Sequence, residues 1–393
     1  MYDIFEIRKN FPVLDNVIYL DSAATTQTPV QVVSAINDYF YKYSGNYGRG
    51  AHRLARESTN HYEDSREKVA GFLNVDSSKT IMTKNATESM NMVALGMDWN
   101  SDDHIVTTSL EHHSNLLPWM NLKDCGVDIT VVSPDDTGIV NPDDIYDSIT
   151  DRTRLVAVTH VSNVFGSVQD INEITRISHK NGAMVLIDGA QSVGHFPVDV
   201  GSIGCDFFAA SGHKGLLGPQ GTGILYVKEP ENLDPSYFGG GMVHSVTTSG
   251  FDIEPCPTKF ESGTPNIPGV IGLGKGVEYV HDLGINNIEK HEKSLVKDMA
   301  SKLSKMPYVE VYGPENRSGV VPFNIAGLNS HDVAMILDET KGICVRSGHH
   351  CAMPTLQALN VDGAVRASVG LYNTQEEIDT FIDAVSQITS LVG

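Results

Sequence analysis

The sequence predicts an α/β fold that combines a large domain, built on a mostly parallel sheet, with a smaller α+β domain. Between residues 17 and 227, short apolar runs alternate with segments of helical periodicity, as strands and crossover helices do. After a Gly- and Pro-containing segment at 261–269, a long helical stretch leads into weaker strands. The apolar runs are VIYL (17–20), TIMT (80–83), HIVTT (104–108), DITVV (128–132), RLVAVTH (154–160), AMVLID (183–188), CDFFAAS (205–211) and GILYV (223–227).

The first long helix is predicted over residues 29–43. Thr28 suits its N-cap and Pro29 its first helical position. The apolar stripe expected to lie on a sheet face consists of Val33, Ile36, Phe40 and Tyr43.

The smaller domain is predicted from the patterns downstream of residue 262. They indicate strands at 308–312 and 320–325 and helices at 330–340 and 374–391. We therefore assign residues 15–262 to the large domain, and residues 1–14 and 263–393 to the smaller one.

Length and composition restrict the functional classes. A chain of 393 residues is long enough for two hydrophobic cores. With 28 Lys and Arg against 49 Asp and Glu, the formal net charge of −21 disfavours a nucleic-acid partner. No apolar run could span a bilayer and no secretory leader is visible, so we expect no membrane partner and a cytoplasmic location. The five cysteines lack C-x-x-C spacing, which favours reduced thiols.

A lysine and an aspartate each follow a predicted strand. Lys214 ends S-G-H-K among small residues that leave room for a ligand, and such a lysine can form an imine with an aldehyde cofactor. Asp188 begins D-G-A-Q, where a carboxylate can keep a pyridine nitrogen protonated. Alone, the lysine would be interpreted as a solvated loop residue and the aspartate as a helix N-cap. Because ligands bind at the carboxyl ends of strands in open α/β sheets, the pair predicts a cofactor site.

Two further segments suit such a cofactor. E-H-H-S-N (111–115) offers an imidazole that could stack on a planar ring and relay protons. It lacks the H-E-x-x-H spacing of a zinc site, and we predict no metal. N-A-T-E (85–88) opens a helix whose first N–H groups and Thr87 hydroxyl suit a phosphate, although Thr87 is an equally good simple cap.

Cys351 and Arg366 are the candidates for chemistry on a substrate. Cys351 lies in R-S-G-H-H-C-A-M-P (346–354), a loop that we expect to be mobile and to expose a reactive thiol, since His349 and His350 make it too polar to bury readily. Arg366 lies in the apolar V-R-A-S-V, where a guanidinium needs an anion such as a substrate carboxylate. We interpret the other cysteines as packed thiols: Cys125, Cys205, Cys256 and Cys344.

Eight separated segments carry a family signature. They are YLDSAATTQTP (19–29), EHHSN (111–115), HVSNVFG (160–166), DGAQSVGH (188–195), SGHK (211–214), FESGTPN (260–266), VRSGHHCAMP (345–354) and VRASVGLYNTQEEID (365–379). In this order they resemble the class V aminotransferase group of fold-type I pyridoxal-phosphate (PLP) enzymes, specifically the group II cysteine desulfurases of the SufS and CsdA type. The resemblance implies a seven-stranded, mostly parallel sheet and a homodimer.

The resemblance also implies how pyridoxal 5'-phosphate is held. Lys214 would carry it as a Schiff base, Asp188 would pair with its pyridine nitrogen, and His112 would stack on its ring. Asn163 and Gln191 would lie near its phenolic oxygen. The implied phosphate ligands are Thr87, Ser211, His213 and, from the second subunit, Thr264.

The implied reaction converts L-cysteine to L-alanine. Arg366 would bind the substrate carboxylate, with Asn163 and Arg49 beside the substrate. Lys214, His112 and Cys351 would be catalytic, and the Cys351 thiolate would take the sulfur as a persulfide for an acceptor protein in iron–sulfur cluster or other sulfur-requiring biosynthesis.

Two alternatives stay open from the sequence. One is a different reaction on the same scaffold, such as selenocysteine lyase or another PLP-dependent lyase or aminotransferase. The other is a non-catalytic, sulfur-carrying scaffold protein. The chain also departs from the family pattern at Gly48, where a histidine is common.

Overall fold

The computed structural model of the protein describes residues 2–390 and confirms an α/β architecture. Its strands are β1 (Ile18–Tyr19), β2 (Thr80–Thr83), β3 (His104–Thr108), β4 (Asp128–Val132), β5 (Thr153–Thr159), β6 (Met184–Asp188), β7 (Phe207–Ser211), β8 (Gly223–Val227), β9 (Val243–Val246), β10 (Phe251–Ile253), β11 (Val309–Val311), β12 (Val320–Ile325), β13 (Ile343–Cys344), β14 (Arg346–Gly348) and β15 (Ala364–Ser368). Its α-helices are α1 (Ile4–Arg8), α2 (Val30–Asp38), α3 (Arg53–Phe72), α4 (Ala86–Gly96), α5 (Leu117–Asn121), α6 (Pro142–Ser148), α7 (Ile171–Lys180), α8 (Val200–Ile203), α9 (Ile267–Leu283), α10 (Ile285–Leu303), α11 (Ser330–Lys341), α12 (Met353–Ala358) and α13 (Gln375–Thr389). Among these helices, none has the length and apolar character needed to cross a membrane.

The large domain is built on a seven-stranded sheet in the order β2-β8-β7-β6-β5-β3-β4. Neighbouring strands are parallel except at β8, which is antiparallel to both β2 and β7. Seven of the eight predicted apolar runs form these strands. The runs are apolar throughout because helices cover both faces: in β5, Leu155 and Ala157 belong to one core cluster and Val156 and Val158 to the other.

The eighth apolar run, residues 17–20, does not join the large sheet, and the prediction that it would is wrong. It forms β1, which pairs in parallel with β13. Leu20 is fully buried in the core cluster of the smaller domain, beside residues of β12 and β15. Burial of this side chain explains why the segment lies there.

The predicted helix at 29–43 exists, but its start and end differ from the prediction. α2 begins at Val30, so Pro29 rather than Thr28 is the N-cap residue, and no side chain caps the helix. The segment Tyr39–Tyr43 forms a π-helical turn instead of continuing the α-helix.

The predicted buried stripe of this helix is also wrong at two positions. Val33 and Phe40 are exposed, whereas Val32 and Tyr39 are buried. The difference arises because α2 packs mainly against α9 rather than on the sheet. Gly272 of α9 has no side chain, which lets Ile36 approach the α9 backbone. The face turned inward is therefore rotated from the expected one.

The smaller domain contains a four-stranded antiparallel sheet in the order β11-β12-β15-β14. The strand predicted at 320–325 is confirmed as β12, and the other predicted elements are found within one or two residues of their expected ends. Residue 391 of the predicted C-terminal helix lies outside the described residues.

Helix α9 packs with the large domain although it follows residue 262. Val270, Leu273 and Val277 belong to the same core cluster as one face of the seven-stranded sheet. The next helix, α10, contributes Leu295 and Met299 to the cluster of the smaller domain instead. The two helices that follow residue 262 thus pack in different domains, and the domain boundary at 262/263 stays a proposal.

A buried ion pair joins α3 to the segment that follows the large sheet. Arg66 is 1% exposed and donates hydrogen bonds to both carboxylate oxygens of Glu261, at 2.5 and 2.9 Å, and to the carbonyl oxygen of Thr80 at 2.8 Å. Glu261 also accepts the backbone N–H of Met82 at 2.7 Å. Both charges are thus shielded from water and paired by several hydrogen bonds.

We predict that Arg66→Met lowers the free energy of unfolding by about 3–5 kcal/mol, because it leaves the Glu261 carboxylate buried without its cation. Arg53→Met, which removes an exposed pair with Glu57, should cost less than about 1 kcal/mol. Urea unfolding followed by circular dichroism compares the two variants. Equal losses of unfolding free energy in the two variants would show that the buried ion pair stabilises the fold no more than the exposed one.

Candidate active site

The candidate site lies where the parallel strands of the large sheet end. β5 ends at Thr159, β6 at Asp188 and β7 at Ser211, and the carboxyl ends of parallel strands meet at one edge. At this edge is a cavity of about 260 Å³. The smaller domain closes one side of it with residues of β14, β15 and the loop between β14 and α12.

The structure brings ten predicted site residues together around this cavity. They are Thr87, His112, Asn163, Asp188, Gln191, Ser211, His213, Lys214, Cys351 and Arg366. Arg49 and Thr264 are exposed and line a different depression of the same chain, which also includes Gly48.

Lys214 follows β7 by three residues, and its half-buried side chain lines the cavity. Burial lowers the pKa of Lys214 from 10.5 to about 8; the Asp188 carboxylate opposes this shift, while Arg366 and Arg346 add to it. At pH 7 about a tenth of this lysine is therefore a neutral amine, far more than at its ordinary pKa, and the rest is cationic. A neutral amine is the form that reacts with a carbonyl group.

Asp188 is the last residue of β6, as predicted, and it caps no helix. Its Oδ1 accepts the backbone N–H of Ala190 at 2.9 Å. Burial raises the pKa of Asp188, while that hydrogen bond and the Lys214 charge oppose the shift. Asp188 is thus a buried carboxyl group with few hydrogen-bond partners, close enough to Lys214 for their charges to interact.

His112 is a neutral imidazole with a defined tautomer. Its Nδ1 accepts the backbone N–H of Ser114 at 3.1 Å, so the ring proton is on Nε2. Burial, reinforced by the Lys214 charge, lowers the pKa of His112 to about 3. The ring can therefore donate through Nε2 without carrying a charge.

Glu111, which the sequence analysis left without a role, fixes the turn that carries His112. It is fully buried and accepts hydrogen bonds from Thr108 Oγ1 (2.7 Å), Thr159 N (3.0 Å) and Asn115 Nδ2 (2.6 Å). Burial raises its pKa to about 8. One carboxyl group thus joins the ends of β3 and β5 to this turn.

The part of the cavity predicted to bind the cofactor phosphate combines the start of helix α4 with polar side chains. Asn85, not Thr87, caps α4 by accepting the Glu88 N–H, which leaves the Thr87 hydroxyl bonded to Ser114 Oγ at 2.6 Å. The alternative that Thr87 is a simple cap is therefore wrong. Gly223 lets β8 approach this helix start, because an added Cβ would lie 2.5 Å from the Asn85 backbone.

Cys351 lies in a turn held from both domains. His350 and Cys351 have φ angles of 53° and 56°, a left-handed conformation that side chains rarely adopt. Asn163 Nδ2 donates to the His350 carbonyl and the His113 N–H to the Cys351 carbonyl, both at 2.7 Å. Cys351 is exposed, as predicted.

Two expectations about this loop and the other cysteines need correction. His350 is buried rather than exposed, because its ring donates to the Ala364 carbonyl and packs at the cavity wall. Cys125 is exposed rather than packed, since it ends a short 3₁₀ turn on the surface. Cys205 is buried as predicted, and Cys256 and Cys344 are partly buried.

Arg366 is almost fully buried and already has an anionic partner that the sequence analysis missed. Its Nη2 lies 3.2 Å from Asp21 Oδ1, and its Nη1 donates to the Asn163 carbonyl at 3.0 Å. Arg346 is its cross-strand neighbour, with a nitrogen 3.9 Å from Asp21 Oδ2. Two guanidinium groups thus share one carboxylate, which leaves an excess of positive charge at the cavity.

The chain matches the Aminotransferase class-V family over residues 18–381. A probable cysteine desulfurase of Methanothermobacter thermautotrophicus is 46% identical over 392 residues, with 98% of each chain covered. The chain belongs to the class V aminotransferase family.

Two solved structures agree with this membership. The apo structure of a cysteine desulfurase from Thermococcus onnurineus NA1 superposes with a TM-score of 0.95 at 41% identity, covering 98% of each chain. The cysteine desulfurase CsdA from Escherichia coli gives a TM-score of 0.93 at 36% identity, covering 100% of this chain and 99% of that one. The predicted family and the predicted α/β fold with a seven-stranded sheet are confirmed.

As a member of this family the chain is a PLP-dependent enzyme, and its cavity fits that cofactor. Lys214 offers an amine that loses its proton readily, and Asp188 offers a buried carboxylate at the same cavity. His112 offers a neutral ring, and the α4 start offers N–H groups to a phosphate. Within residues 2–390, no group of three or more His, Cys, Asp or Glu is arranged to hold a metal ion.

We predict that the Lys214 amine of the cofactor-free protein is half-deprotonated at a pH of about 8. Asp188→Asn should move this midpoint lower, because it removes the negative charge that favours the protonated amine. Reductive methylation with formaldehyde over a pH series, mapped by mass spectrometry, measures both midpoints. A midpoint near 10.5, or a rise in the variant, would contradict the assigned environment.

Proposed function

We propose that this chain is a cysteine desulfurase that converts L-cysteine to L-alanine and holds the sulfur on Cys351. The observation that carries the proposal is that an exposed thiol lines the same cavity as Lys214 and Arg366. A transaminase has no use for a thiol at this place. The relatives named cysteine desulfurase are consistent with the proposal.

The cofactor residues would be those that line the cavity. When bound, PLP withdraws electrons from the substrate carbons next to its nitrogen, which no side chain does. Lys214 would hold the cofactor, and Asp188 would keep its ring nitrogen protonated. His112, as a neutral ring with its proton on Nε2, would donate a hydrogen bond or proton from that atom.

The substrate carboxylate would bind at the paired arginines. Arg366 and Arg346 are neighbours across two antiparallel strands, and like charges so placed repel each other. The single carboxylate of Asp21 only partly offsets this repulsion. A second carboxylate would complete the charge balance, so the site selects an amino acid with a free carboxyl group.

The sulfur transfer is balanced in atoms and electrons when Cys351 is the sulfur acceptor. The Cys351 sulfur attacks the substrate sulfur, an S–S bond forms as the C–S bond breaks, and the substrate carbon takes a proton. The products are alanine and a Cys351 persulfide, and neither an oxidant nor a reductant is consumed. Because Cys351 is exposed, an acceptor protein, for iron–sulfur cluster or other sulfur-requiring biosynthesis, could reach the persulfide.

We predict that Cys351→Ala abolishes alanine and sulfide formation from cysteine while the bound cofactor keeps its visible absorbance. Cys125→Ala, which removes the other exposed thiol, should leave the rate unchanged. Alkylation after incubation with cysteine, followed by mass spectrometry, should find the persulfide on Cys351. Undiminished turnover in Cys351→Ala would favour another lyase or a transaminase, and a protein without the absorbance of bound cofactor would favour the scaffold alternative.

We also propose a homodimer in which Thr264 and Arg49 complete the partner's site. Both residues line one depression of the chain, away from its own Lys214 cavity. Apolar side chains on nearby segments are more than half exposed: Phe238, Val246 and Phe251. Exposed apolar groups of this kind are typical of a surface that a partner covers.

Mixed dimers of Lys214→Ala and Thr264→Arg test this arrangement. If Thr264 acts across the interface, one of the two sites in each mixed dimer is intact, and mixing two inactive variants restores activity. If Thr264 serves its own chain, every site carries a defect and no activity returns. Refolding the two variants together and assaying alanine formation separates these results.

A further inference from the structure

Ser114 carries a hydroxyl group that connects two residues of the predicted cofactor site. Its Oγ lies 2.6 Å from Thr87 Oγ1 and 3.0 Å from His112 Nδ1. All three residues line the cavity, where Thr87 is exposed and Ser114 is partly exposed. The sequence analysis gave Ser114 no role, so the structure adds a third polar side chain to this part of the site.

The proton of the Ser114 hydroxyl has two acceptors within reach. One is His112 Nδ1, which has a single lone pair and already accepts the backbone N–H of Ser114 at 3.1 Å. The other is Thr87 Oγ1. A hydroxyl hydrogen rotates about its C–O bond, whereas a backbone N–H is fixed. The hydroxyl can therefore turn to Thr87 without leaving His112 Nδ1 unsatisfied.

The Thr87 hydroxyl also has one proton to give. Within residues 2–390 it makes a hydrogen bond to no group other than the Ser114 hydroxyl, and Asn85 rather than Thr87 caps α4. If Thr87 donated to Ser114, it would keep no proton for a ligand. If Ser114 donates to Thr87 instead, the Thr87 proton is free for an acceptor in the cavity.

We propose that Ser114 is a positioning residue that donates its hydroxyl proton to Thr87 and so directs the Thr87 proton at the cofactor phosphate. This inference rests on the function proposed above, because it requires PLP in the cavity. The oxygens of an anionic phosphate are strong acceptors, so the phosphate favours the arrangement in which Ser114 donates to Thr87 and Thr87 donates to the phosphate. His112 keeps the backbone N–H as the partner of Nδ1, and its ring proton stays on Nε2.

Variants that lack single hydroxyl groups test the direction of these hydrogen bonds. Ser114→Ala removes the donor to Thr87 but keeps the backbone N–H that His112 accepts, and Ser114→Thr keeps a hydroxyl at this position. Thr87→Val removes the phosphate donor itself. Ser148→Ala is the matched control, because the Ser148 hydroxyl makes one hydrogen bond, to the Asp144 carbonyl at 2.8 Å, and does not line the cavity.

The cofactor is removed from the full-length chain with hydroxylamine, and either PLP or pyridoxal, which lacks the phosphate, is added back while the absorbance of the bound cofactor is followed. We expect Ser114→Ala to weaken PLP binding about fivefold and pyridoxal binding less than about twofold. In the Thr87→Val background, Ser114→Ala should change PLP binding less than about twofold, because no hydroxyl is left to orient. Ser114→Thr and the Ser148→Ala control should bind PLP as the parent does.

Unchanged PLP binding in Ser114→Ala would overturn the proposal, as would equal losses for PLP and pyridoxal, which would indicate a general disturbance of the site. A full loss on adding Ser114→Ala to Thr87→Val would show that Ser114 acts independently of Thr87, and would overturn it too. Failure of the desulfurase function has a different signature: the parent chain would bind PLP but form neither alanine nor a Cys351 persulfide. The binding comparison needs no turnover and would still report the effect of Ser114.

Discussion

The site depends on charged groups held away from water at the junction of the two sheets. Lys214, Asp188 and Arg366 line one small cavity; Asp188 and Arg366 lie in buried apolar strands, and Lys214 follows one by three residues. In such surroundings charges interact more strongly than in water, so the lysine amine loses its proton more readily and the imidazoles nearby stay neutral. The reactive protonation states are thus set by packing. A looser junction would admit water and return each group to its ordinary behaviour.

The segment that follows β1 connects the parts of this junction. Asp21 pairs with Arg366 of the smaller domain, while the Thr26 hydroxyl donates to the Lys214 carbonyl at 2.7 Å. The Ala23 carbonyl accepts the side-chain amide of Gln191 at 2.9 Å. A short stretch of chain therefore fixes the substrate-binding arginine and the cofactor lysine relative to each other.

The turn at Cys351 is restrained as well as exposed. Two consecutive side-chain-bearing residues in the left-handed region cost roughly 1–2 kcal/mol each, so neighbouring contacts must maintain them. Asn163 and His113 of the large domain hold the two carbonyl groups, and Thr355 Oγ1 donates to the Ser109 carbonyl at 2.8 Å. The thiol is thus presented at a defined point of the cavity wall while its outer side stays open to a partner.

The sequence by itself determined the fold class, the seven strands of the large sheet and ten residues of the cavity, because buried parallel strands are apolar throughout and reactive residues follow their ends. Only the tertiary structure decided which partners those residues have. Asp21 and Arg366 are 345 positions apart, and neither the shared carboxylate nor the burial of His350 leaves a periodic signal in the chain. The rotated face of α2 has the same origin, since the helix it packs against, α9, is more than 200 residues away. Local patterns record what a residue prefers, whereas partners distant in the chain are fixed only when the elements pack.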